Sequence, residues 1–330
     1  MEYKFLGKTG VKVSSLCYGT MSFGGEADEE TSAKLYHRCR EAGINFFDCA
    51  NVYAGGRSEE VLGKLIQGER QNLVIASKVY SPTGEDVNAR GSSRKHMMTA
   101  IDESLKRLRT DYLDLYFLHR FDDYTNLEDT LRALDDLVQQ GKILYPAASN
   151  FAAWQVEKAL GISALHGWAR IECLQPMYNL VKRQAEVEIL PMAQEENLAV
   201  ITYSPLGGGL LTGKYGPERR PEKGRLVENK VYQTRYGDEW MYQTAGDFSE
   251  LAERYGYDPA ALAVAWVASH PGVTTPIIGA HTLEQLEGSL GALQIDMTPE
   301  LYREISALSI TPPSATDRNE EGTEYTLEAR

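Results

Sequence analysis

The sequence has few cysteines, and their arrangement excludes several classes of protein. Among 330 residues there are four, Cys17, Cys39, Cys49 and Cys173, and none forms a C-x-x-C spacing. This pattern is not that of a disulfide-rich secreted scaffold, and it contains no zinc-ligand motif. We therefore expect buried, reduced thiols, as in a cytoplasmic protein, and no metal site.

Long apolar runs and excess positive charge are also missing. No apolar run reaches the roughly 18 to 20 residues that span a bilayer, and the N-terminal MEYKFLGKTG lacks the apolar core of a signal peptide. Lys and Arg number 34 against 47 Asp and Glu, which leaves a formal net charge of −13. Such an excess of acid disfavours nucleic acid and anionic membranes as partners. We expect a cytoplasmic protein that acts on small molecules, and a homo-oligomer is compatible with the sequence.

Two nucleotide-binding motifs are absent or incomplete. No G-x-G-x-x-G follows the first strand-like segment, which disfavours an open doubly wound sheet of the Rossmann type. From Gly208 to Lys214 the chain spells G-x-x-x-x-G-K, but Tyr215 stands where a P-loop needs Ser or Thr. A phenol cannot replace the small hydroxyl that holds Mg²⁺, so a nucleotide triphosphatase is disfavoured. The glycines of this segment require another explanation.

Short apolar runs alternate with segments of helical periodicity along most of the chain. The strand-like runs are SLCYG (15–19), INFFD (44–48), LVIAS (73–77), LDLYFLH (113–119), ILYPAAS (143–149), IECLQ (171–175), LAVITYS (198–204) and TTPIIG (274–279). The helix-like segments include EETSAKLYHRCREAG, SEEVLGKLIQ, RKHMMTAIDESLKRL, LEDTLRALDDLVQQG and WQVEKALGI. Eight strands joined by helical crossovers predict an α/β fold, a (β/α)8 TIM barrel, with an open doubly wound sheet as the alternative.

Three segments fall outside this alternation. YKFLGKTGVKVS near the start predicts a β-hairpin that turns at residues 7–10. Residues 213–245, after the seventh barrel strand, are charged and rich in Gly and Pro, so we predict a long loop that covers a ligand. The polar and acidic residues 311–330 predict a tail beyond the last helix. We expect one barrel domain over residues 1–310.

Four ionisable side chains stand where three neighbouring predicted strands end. They are Asp48, Tyr53 in the loop that follows, Lys78 and His119. Reactive groups of a TIM barrel lie at the carboxyl ends of its strands, so these four can converge on one point. A nearby ammonium favours the phenolate and lowers the pKa of a tyrosine, and a buried lysine needs a counter-ion such as Asp48. An imidazole at the mouth can orient a carbonyl oxygen or transfer a proton.

Each of these residues alone also has a structural interpretation. A tyrosine in a loop commonly packs, a lysine at a strand end commonly extends to solvent, and an aspartate after a strand commonly forms a turn. The joint occurrence at adjacent strand ends favours a catalytic site. A Schiff-base lyase with Lys78 as nucleophile is an alternative, but Asp48 beside it would keep that amine protonated.

The motifs around these residues resemble the aldo-keto reductase family over nearly the whole chain. Asp48 and Tyr53 stand in DCANVY, the family's D-x-A-x-x-Y pattern, and SLKRLRTDYLDLYFLHR resembles the signature that ends in its histidine. SNF (149–151), LQPMYN (174–179), YSPLGGGLLTGKY (203–215) and PIIGAHTLEQL (276–286) follow in the family's order. Within the family, the sequence most resembles bacterial reductases related to potassium-channel β subunits.

The resemblance implies an NAD(P)H-dependent oxidoreductase that reduces aldehydes or ketones, aromatic or sugar-derived, to alcohols. Tyr53 is then the proton donor, Lys78 and Asp48 tune it, and His119 orients the substrate. It also implies that Ser149, Asn150 and Gln175 hold the nicotinamide carboxamide, that Tyr203 stacks on the ring, and that residues 204–214 wrap the pyrophosphate. The implied cofactor contacts are Gly19, Thr20, Met21, Asp48, Ser149, Asn150, Gln175, Tyr203, Ser204, Pro205, Leu206, Gly208, Leu210, Thr212, Gly213, Lys214, Ile278, Gly279, His281, Gln285 and Ser289.

The chain departs from the family at the adenosine end. His281 follows Gly279-Ala280 where many relatives carry an arginine that pairs with the 2′-phosphate of NADP, and Gly288-Ser289 replaces a Glu-Asn. A neutral imidazole is a weaker partner for phosphate than arginine. NADPH is expected because the family favours it, with NADH or dual use as alternatives. A solvent-exposed His281 without any role in binding is an equally good interpretation.

The substrate side of the mouth is expected to be aromatic. We predict substrate contacts from Phe23, Tyr53, Tyr80, His119 and Arg120, with Met21, Phe121 and Tyr178 as further candidates for the pocket lining. Aromatic walls suit apolar carbonyl compounds, and Arg120 could receive an anionic or sugar group. The alternative function is a cofactor-binding redox sensor or regulatory subunit with little turnover.

Overall fold

An N-terminal hairpin and a closed barrel of parallel strands form the frame of the molecule. The computed structural model describes residues 1–318. The hairpin strands are β1 (Tyr3–Phe5) and β2 (Lys12–Ser14), which pair antiparallel. The barrel strands are β3 (Cys17–Gly19), β4 (Phe46–Asp48), β5 (Val74–Val79), β6 (Leu113–Leu118), β7 (Ile143–Ser149), β8 (Cys173–Gln175), β9 (Ala199–Thr202) and β10 (Thr275–Ile278). They follow one another around the barrel, and β10 closes it against β3. The predicted (β/α)8 barrel and hairpin are confirmed.

Helices connect the barrel strands and cover the outside of the barrel. They are α1 (Glu29–Glu41), α2 (Arg57–Leu65), α3 (Arg94–Leu108), α4 (Leu127–Gln139), α5 (Ala153–His166), α6 (Ile189–Glu195), α7 (Arg225–Glu228), α8 (Lys230–Arg235), α9 (Glu239–Tyr255), α10 (Pro259–Ala268), α11 (Leu283–Leu290) and α12 (Pro299–Ser306). Several begin at capping residues that satisfy free backbone N–H groups, as Asp28 does for Thr31. No helix within residues 1–318 is long and apolar enough to cross a membrane.

The barrel interior is filled by side chains that alternate along the strands. Phe46, Leu115 and Ile201 belong to one buried cluster, which also contains Leu6 and Val13 from the hairpin region. The hairpin therefore closes the amino end of the barrel, and the carboxyl ends of the strands are left as the mouth. All four cysteines are buried and free, and Cys17 and Cys173 lie in this interior cluster.

The segment after β9 differs from the predicted loop of residues 213–245. It contains the short helices α7 and α8, and α9 begins at Glu239, so the assignment of residues 239–245 to a loop is wrong. Met241, Tyr242 and Ala245 are buried on one face of α9 and anchor its first turns. The charged residues before position 239 obscured this apolar face in the composition of the segment. We call residues 213–238 the lid.

The end of the described chain has no regular structure after α12. Residues 311–318 contain no helix or strand. The rest of the predicted tail, residues 319–330, lies outside the described residues, so the proposed boundary at residue 310 stays a prediction.

Candidate active site

Lys78, Asp48 and Tyr53 form one connected group at the mouth of the barrel. The ammonium of Lys78 donates to Asp48 Oδ2 at 2.6 Å, to the Cys49 carbonyl at 2.7 Å and to Tyr53 Oη at 3.3 Å. The Lys78 side chain is completely buried, and that of Asp48 is 4% exposed. Three partners satisfy the three donors of the ammonium, so its position beside the phenol is well defined.

The alternation of strand side chains explains why these groups meet. Asp48 stands two residues after Phe46, and Lys78 stands two residues after Ala76, both of which line the barrel interior. Residues two apart on a strand face the same side, so the next inward position at the end of each strand is a polar one. The same spacing applies to the predicted site residues that follow the other interior-lining positions: Gly19, His119, Ser149, Gln175, Tyr203 and Gly279.

Burial and neighbouring charges shift the pKa values of Tyr53 and Lys78. Burial raises the pKa of Tyr53 to about 12, although the Lys78 ammonium acts in the opposite direction. The expectation that the ammonium lowers this pKa below its ordinary value is therefore wrong in its net direction. Burial alone would lower the pKa of Lys78, but the charge and hydrogen bond of Asp48, together with Tyr53 and Cys49, outweigh burial and keep the pKa above its ordinary value. At neutral pH the pair is a protonated phenol beside an ammonium.

His119 faces Tyr53 across the mouth. The two rings lie 6.1 Å apart between centroids, in an edge-to-face arrangement. Burial and the nearby Lys78 charge lower the pKa of His119 to about 3, so its imidazole is neutral at physiological pH. Its Nδ1 is buried and has no hydrogen-bond partner among residues 1–318. A neutral imidazole here can exchange a hydrogen bond with a substrate oxygen without adding a charge.

The amide and hydroxyl groups expected to hold a nicotinamide form a hydrogen-bonded chain beside the ion pair. Gln175 Nε2 donates to Asp48 Oδ1 at 2.9 Å, and Ser149 Oγ donates to the Gln175 carbonyl at 2.9 Å. Asn150 Nδ2 donates to the His119 carbonyl at 2.9 Å, while its Oδ1 accepts from Tyr203 Oη at 2.7 Å. The structure thus brings these predicted residues together around Asp48.

The glycine-rich segment after Tyr203 forms a series of tight turns. Ser204 has φ 59° and Gly208 has φ 68°, both in the left-handed region. A Cβ on Gly208 would lie 2.6 Å from Cδ1 of Tyr232 on α8, so the lid packs directly on this glycine. Tyr236 is fully buried and accepts from Asn179 Nδ2 at 3.2 Å, which anchors the far end of α8. Neither lid tyrosine is among the residues predicted from the sequence, although their i, i+4 spacing in YQTRY indicates one helix face.

The adenosine end predicted from the resemblance contains a charged contact that the sequence did not indicate. His281 Nδ1 lies 3.6 Å from Glu26 Oε2, and Arg225 of the lid donates to the same oxygen at 2.9 Å. Gln285 Nε2 lies 3.1 Å from His281 Nε2. Ser289 Oγ is buried and finds no partner in the described part of the chain. Glu26 therefore links the lid to the loop that follows β10.

The residues predicted to contact the cofactor or the substrate differ in how far they are buried. Thr20 is buried, and its backbone N–H donates to the Asp48 carbonyl at 2.9 Å, whereas Met21 is exposed. Phe23 is completely buried and packs against Tyr18 at 5.6 Å between ring centroids. Tyr178 is also completely buried and stacks on Trp266 at 5.3 Å, so it presents no surface to a substrate.

The remaining predicted contacts lie around the mouth and the lid. Tyr80 and Phe121 are partly buried, and Arg120 is exposed. Phe121 packs edge-to-face against Phe151 at 5.2 Å between centroids. Ile278 is the last residue of β10, and the other predicted cofactor contacts lie in the segment after β9: Pro205, Leu206, Leu210, Thr212, Gly213 and Lys214. Their roles stay predictions. No cluster of His, Cys, Asp and Glu that could hold a metal occurs within residues 1–318.

Comparison with known proteins gives consistent matches over almost the full length. The model of the Aldo/keto reductase family matches residues 15–310. A Bacillus subtilis (strain 168) protein named "Uncharacterized oxidoreductase YrpG" is 35% identical over 96% of this chain and 98% of its own length. Two plant proteins named "Probable voltage-gated potassium channel subunit beta" are each 35% identical. The Oryza sativa subsp. japonica protein matches 96% of this chain and 99% of itself, and the Arabidopsis thaliana protein matches 89% and 92%.

Proposed function

The chain belongs to the aldo/keto reductase family, and we propose that it is an NAD(P)H-dependent enzyme that reduces aldehydes or ketones to alcohols. The observation that carries this proposal is the contact between the Lys78 ammonium and the Tyr53 hydroxyl, 3.3 Å apart at the barrel mouth. This contact offers a proton donor and the charge that stabilises its conjugate base. A small-molecule carbonyl compound is the proposed partner.

The residues around this contact fit a nicotinamide dinucleotide. The Asp48–Gln175–Ser149–Asn150 chain offers amide and hydroxyl groups suited to a carboxamide. Ser204, Gly207, Gly208 and Gly209 all have φ values in the left-handed region, a backbone conformation whose N–H groups can bind a pyrophosphate. Ser289 Oγ, which is buried and unpartnered within residues 1–318, offers a polar group near the proposed adenosine end. When bound, a reduced nicotinamide supplies the hydride that reaches the carbonyl carbon.

The side chains of this site supply the proton and the positive charge that stabilises the resulting phenolate. Tyr53 donates a hydrogen bond and then its proton to the carbonyl oxygen as negative charge develops there, acting as a general acid. The Lys78 ammonium stabilises the phenolate that remains, and Asp48 keeps Lys78 charged in its buried position. Neutral His119 orients the same oxygen from the other side. A protonated Lys78 is a poor nucleophile, which argues against the Schiff-base alternative.

The proposed cofactor is NADPH, with NADH used at only a small disadvantage. The resemblance favours NADPH, but His281 replaces the arginine that many relatives carry. Glu26 adds a carboxylate 3.6 Å from the His281 ring, and a 2′-phosphate would be repelled by it. These two features weaken the discrimination between the two cofactors.

The test is a titration of the purified protein with NADPH and with NADH, followed by a panel of aldehydes, ketones and sugars with the tighter cofactor. We expect quenching of protein fluorescence by both cofactors and turnover of at least one apolar carbonyl compound. Failure of both cofactors to bind would refute the proposal. Tight binding without turnover on the whole panel would instead support a redox sensor or regulatory subunit, and the two plant relatives are named as probable channel subunits.

A further inference from the structure

A completely buried carboxylate lies behind the proposed active site and takes no part in the chemistry above. Glu59, in the first turn of α2, is 0% exposed. Its Oε1 accepts from Ser77 Oγ at 2.5 Å, and its Oε2 accepts from Arg107 Nε at 2.7 Å. An apolar pair of similar volume can be as stable as a buried ion pair, so the position of this charge calls for an explanation beyond stability.

The first turn of α2 connects the segments that carry the active-site residues. Glu59 follows the Tyr53 turn along the chain, and its partner Ser77 directly precedes Lys78 on β5. The neighbouring Ser58 donates to the Thr20 carbonyl at 2.7 Å and lies 3.2 Å from Cys49 Sγ, beside Asp48. Ser58 and Glu59 therefore fasten the segment that follows Tyr53 to residues adjacent to Asp48 and to Lys78.

The turn between Tyr53 and α2 contains one strained residue, Ala54, because a left-handed backbone is costly for a residue other than glycine. Ala54, Gly55 and Gly56 have φ values of 50°, 66° and 92°, three left-handed residues in succession. Arg107 supports the last of them, since a Cβ on Gly56 would lie 3.1 Å from Arg107 Cδ. Strained conformations of this kind persist only where the surrounding structure holds them.

We propose that Glu59, held by Arg107 and Ser77, is a positioning residue that sets the separation between Lys78 Nζ and Tyr53 Oη. Ser77 fixes the carboxylate to the Lys78 strand, and Arg107 of α3 holds the carboxylate while it packs beside Gly56 of the Tyr53 turn. Without this carboxylate the turn relaxes, and the phenol moves away from the ammonium. The catalytic consequence rests on the proposed reductase function, whereas the geometric consequence does not.

The kinetic test compares Glu59→Gln with two variants of the same helix. Glu59→Gln keeps a hydrogen-bond acceptor for Ser77 but removes the charge that holds Arg107. We expect kcat to fall about tenfold or more, with KM and the cofactor Kd within about threefold of wild type. In alcohol oxidation, where Tyr53 accepts the proton, the pH of half-maximal rate should rise because the ammonium stabilises the phenolate less. Val61→Ala is a control that destabilises the same helix, and Glu60→Gln is a control that removes an exposed charge next to Glu59. Both variants should keep the kcat and the pH profile of the wild-type protein.

The geometric test is a crystal structure of Glu59→Gln together with hydrogen exchange of residues 54–57. We expect a longer Lys78 Nζ to Tyr53 Oη distance and faster exchange in the turn than in Val61→Ala. Ser77→Ala, which removes one neutral hydrogen bond, gives the same readouts with smaller effects if Glu59→Gln does not fold. Unchanged distance, exchange, kcat and pH profile would overturn the proposal, as would an equal loss of kcat in Val61→Ala. If the wild-type protein reduces no carbonyl compound, the reductase function fails, while distance and exchange still decide the role of Glu59.

Discussion

Lys78 Nζ lies 3.3 Å from Tyr53 Oη, although 25 residues separate them along the chain. The closed barrel causes this meeting, because β4 and β5 are neighbours and Tyr53 lies in the turn that follows β4. Asp48 and the Cys49 carbonyl hold the ammonium from the other side, so the cation cannot turn away from the phenol. The proposed chemistry depends on this fixed pair.

Lys78→Met should strongly destabilise the protein. It leaves the buried Asp48 carboxylate without its cation, so we expect the free energy of unfolding to fall by about 3–5 kcal/mol. Lys78→Met with Asp48→Asn should recover part of that loss, because the second substitution removes the unpaired charge, but it should not recover turnover. Urea unfolding of the two single variants and the double variant measures the coupling. An equal loss of unfolding free energy in Lys78→Met and in the double variant would contradict the coupling between Lys78 and Asp48.

The low pKa of His119 predicts a pH dependence of stability. The folded-state pKa of about 3 lies below the ordinary 6.5, so the unfolded chain binds more protons between these values. Stability that His119 contributes above pH 6.5 is therefore lost as the pH falls, by up to about 1.4 kcal/mol per pH unit. Urea unfolding between pH 6.5 and 5 should show a shallower slope for His119→Gln than for wild type. A slope in His119→Gln equal to that of the wild-type protein would refute the prediction.

Gly208→Ala should weaken cofactor binding. Its φ of 68° is costly for alanine, and the new Cβ would meet Tyr232 at 2.6 Å, which displaces the lid. We expect the Kd for NADPH to rise about tenfold or more, measured by fluorescence titration. Gly141→Ala is the matched control, since its φ is 71° and no atom lies within 4 Å of the new Cβ. That control should lose about 1–2 kcal/mol of stability but keep its Kd. Equal values of Kd for the two variants would show that the lid contact is unimportant.

His281→Arg should increase discrimination between the cofactors. A guanidinium can pair with a 2′-phosphate in two hydrogen bonds, so the Kd for NADPH should fall about tenfold while that for NADH changes little. Glu26→Gln should act in the same direction, because it removes a carboxylate near His281. Parallel titrations with both cofactors give the ratio of the two Kd values. An equal change for both would place His281 outside the 2′-phosphate site.

Much of the frame and of the candidate site could be predicted from local sequence. All eight barrel strands appear as short apolar runs, and Asp48, Lys78 and His119 stand where those runs end. Because side chains alternate between the two faces of a strand, these residues are expected to point into the mouth. Their proximity can therefore be predicted without a structure. The start of α9 was missed because the charged lid masks an apolar face that begins near Met241.

Contacts between distant surface loops and the balance of electrostatic effects could not be predicted. Glu26 and Arg225 are 199 residues apart, and nothing in either local sequence indicates that they pair. The pairing of Glu59 with Arg107 likewise depends on how α2 packs against α3. The pKa of Tyr53 is raised by burial, which outweighs the effect of the Lys78 charge. The extent of this burial cannot be deduced from a sequence motif.

The turnover of Tyr53→Phe is the most direct measure of whether Tyr53 is the proton donor. The substitution removes one oxygen, which is both the proposed proton donor and a partner of Lys78. We measure kcat with the best carbonyl substrate of the panel and the Kd for NADPH on the same preparation. We expect an unchanged Kd and a loss of turnover by several orders of magnitude. Turnover close to that of the wild-type protein would contradict this role of Tyr53.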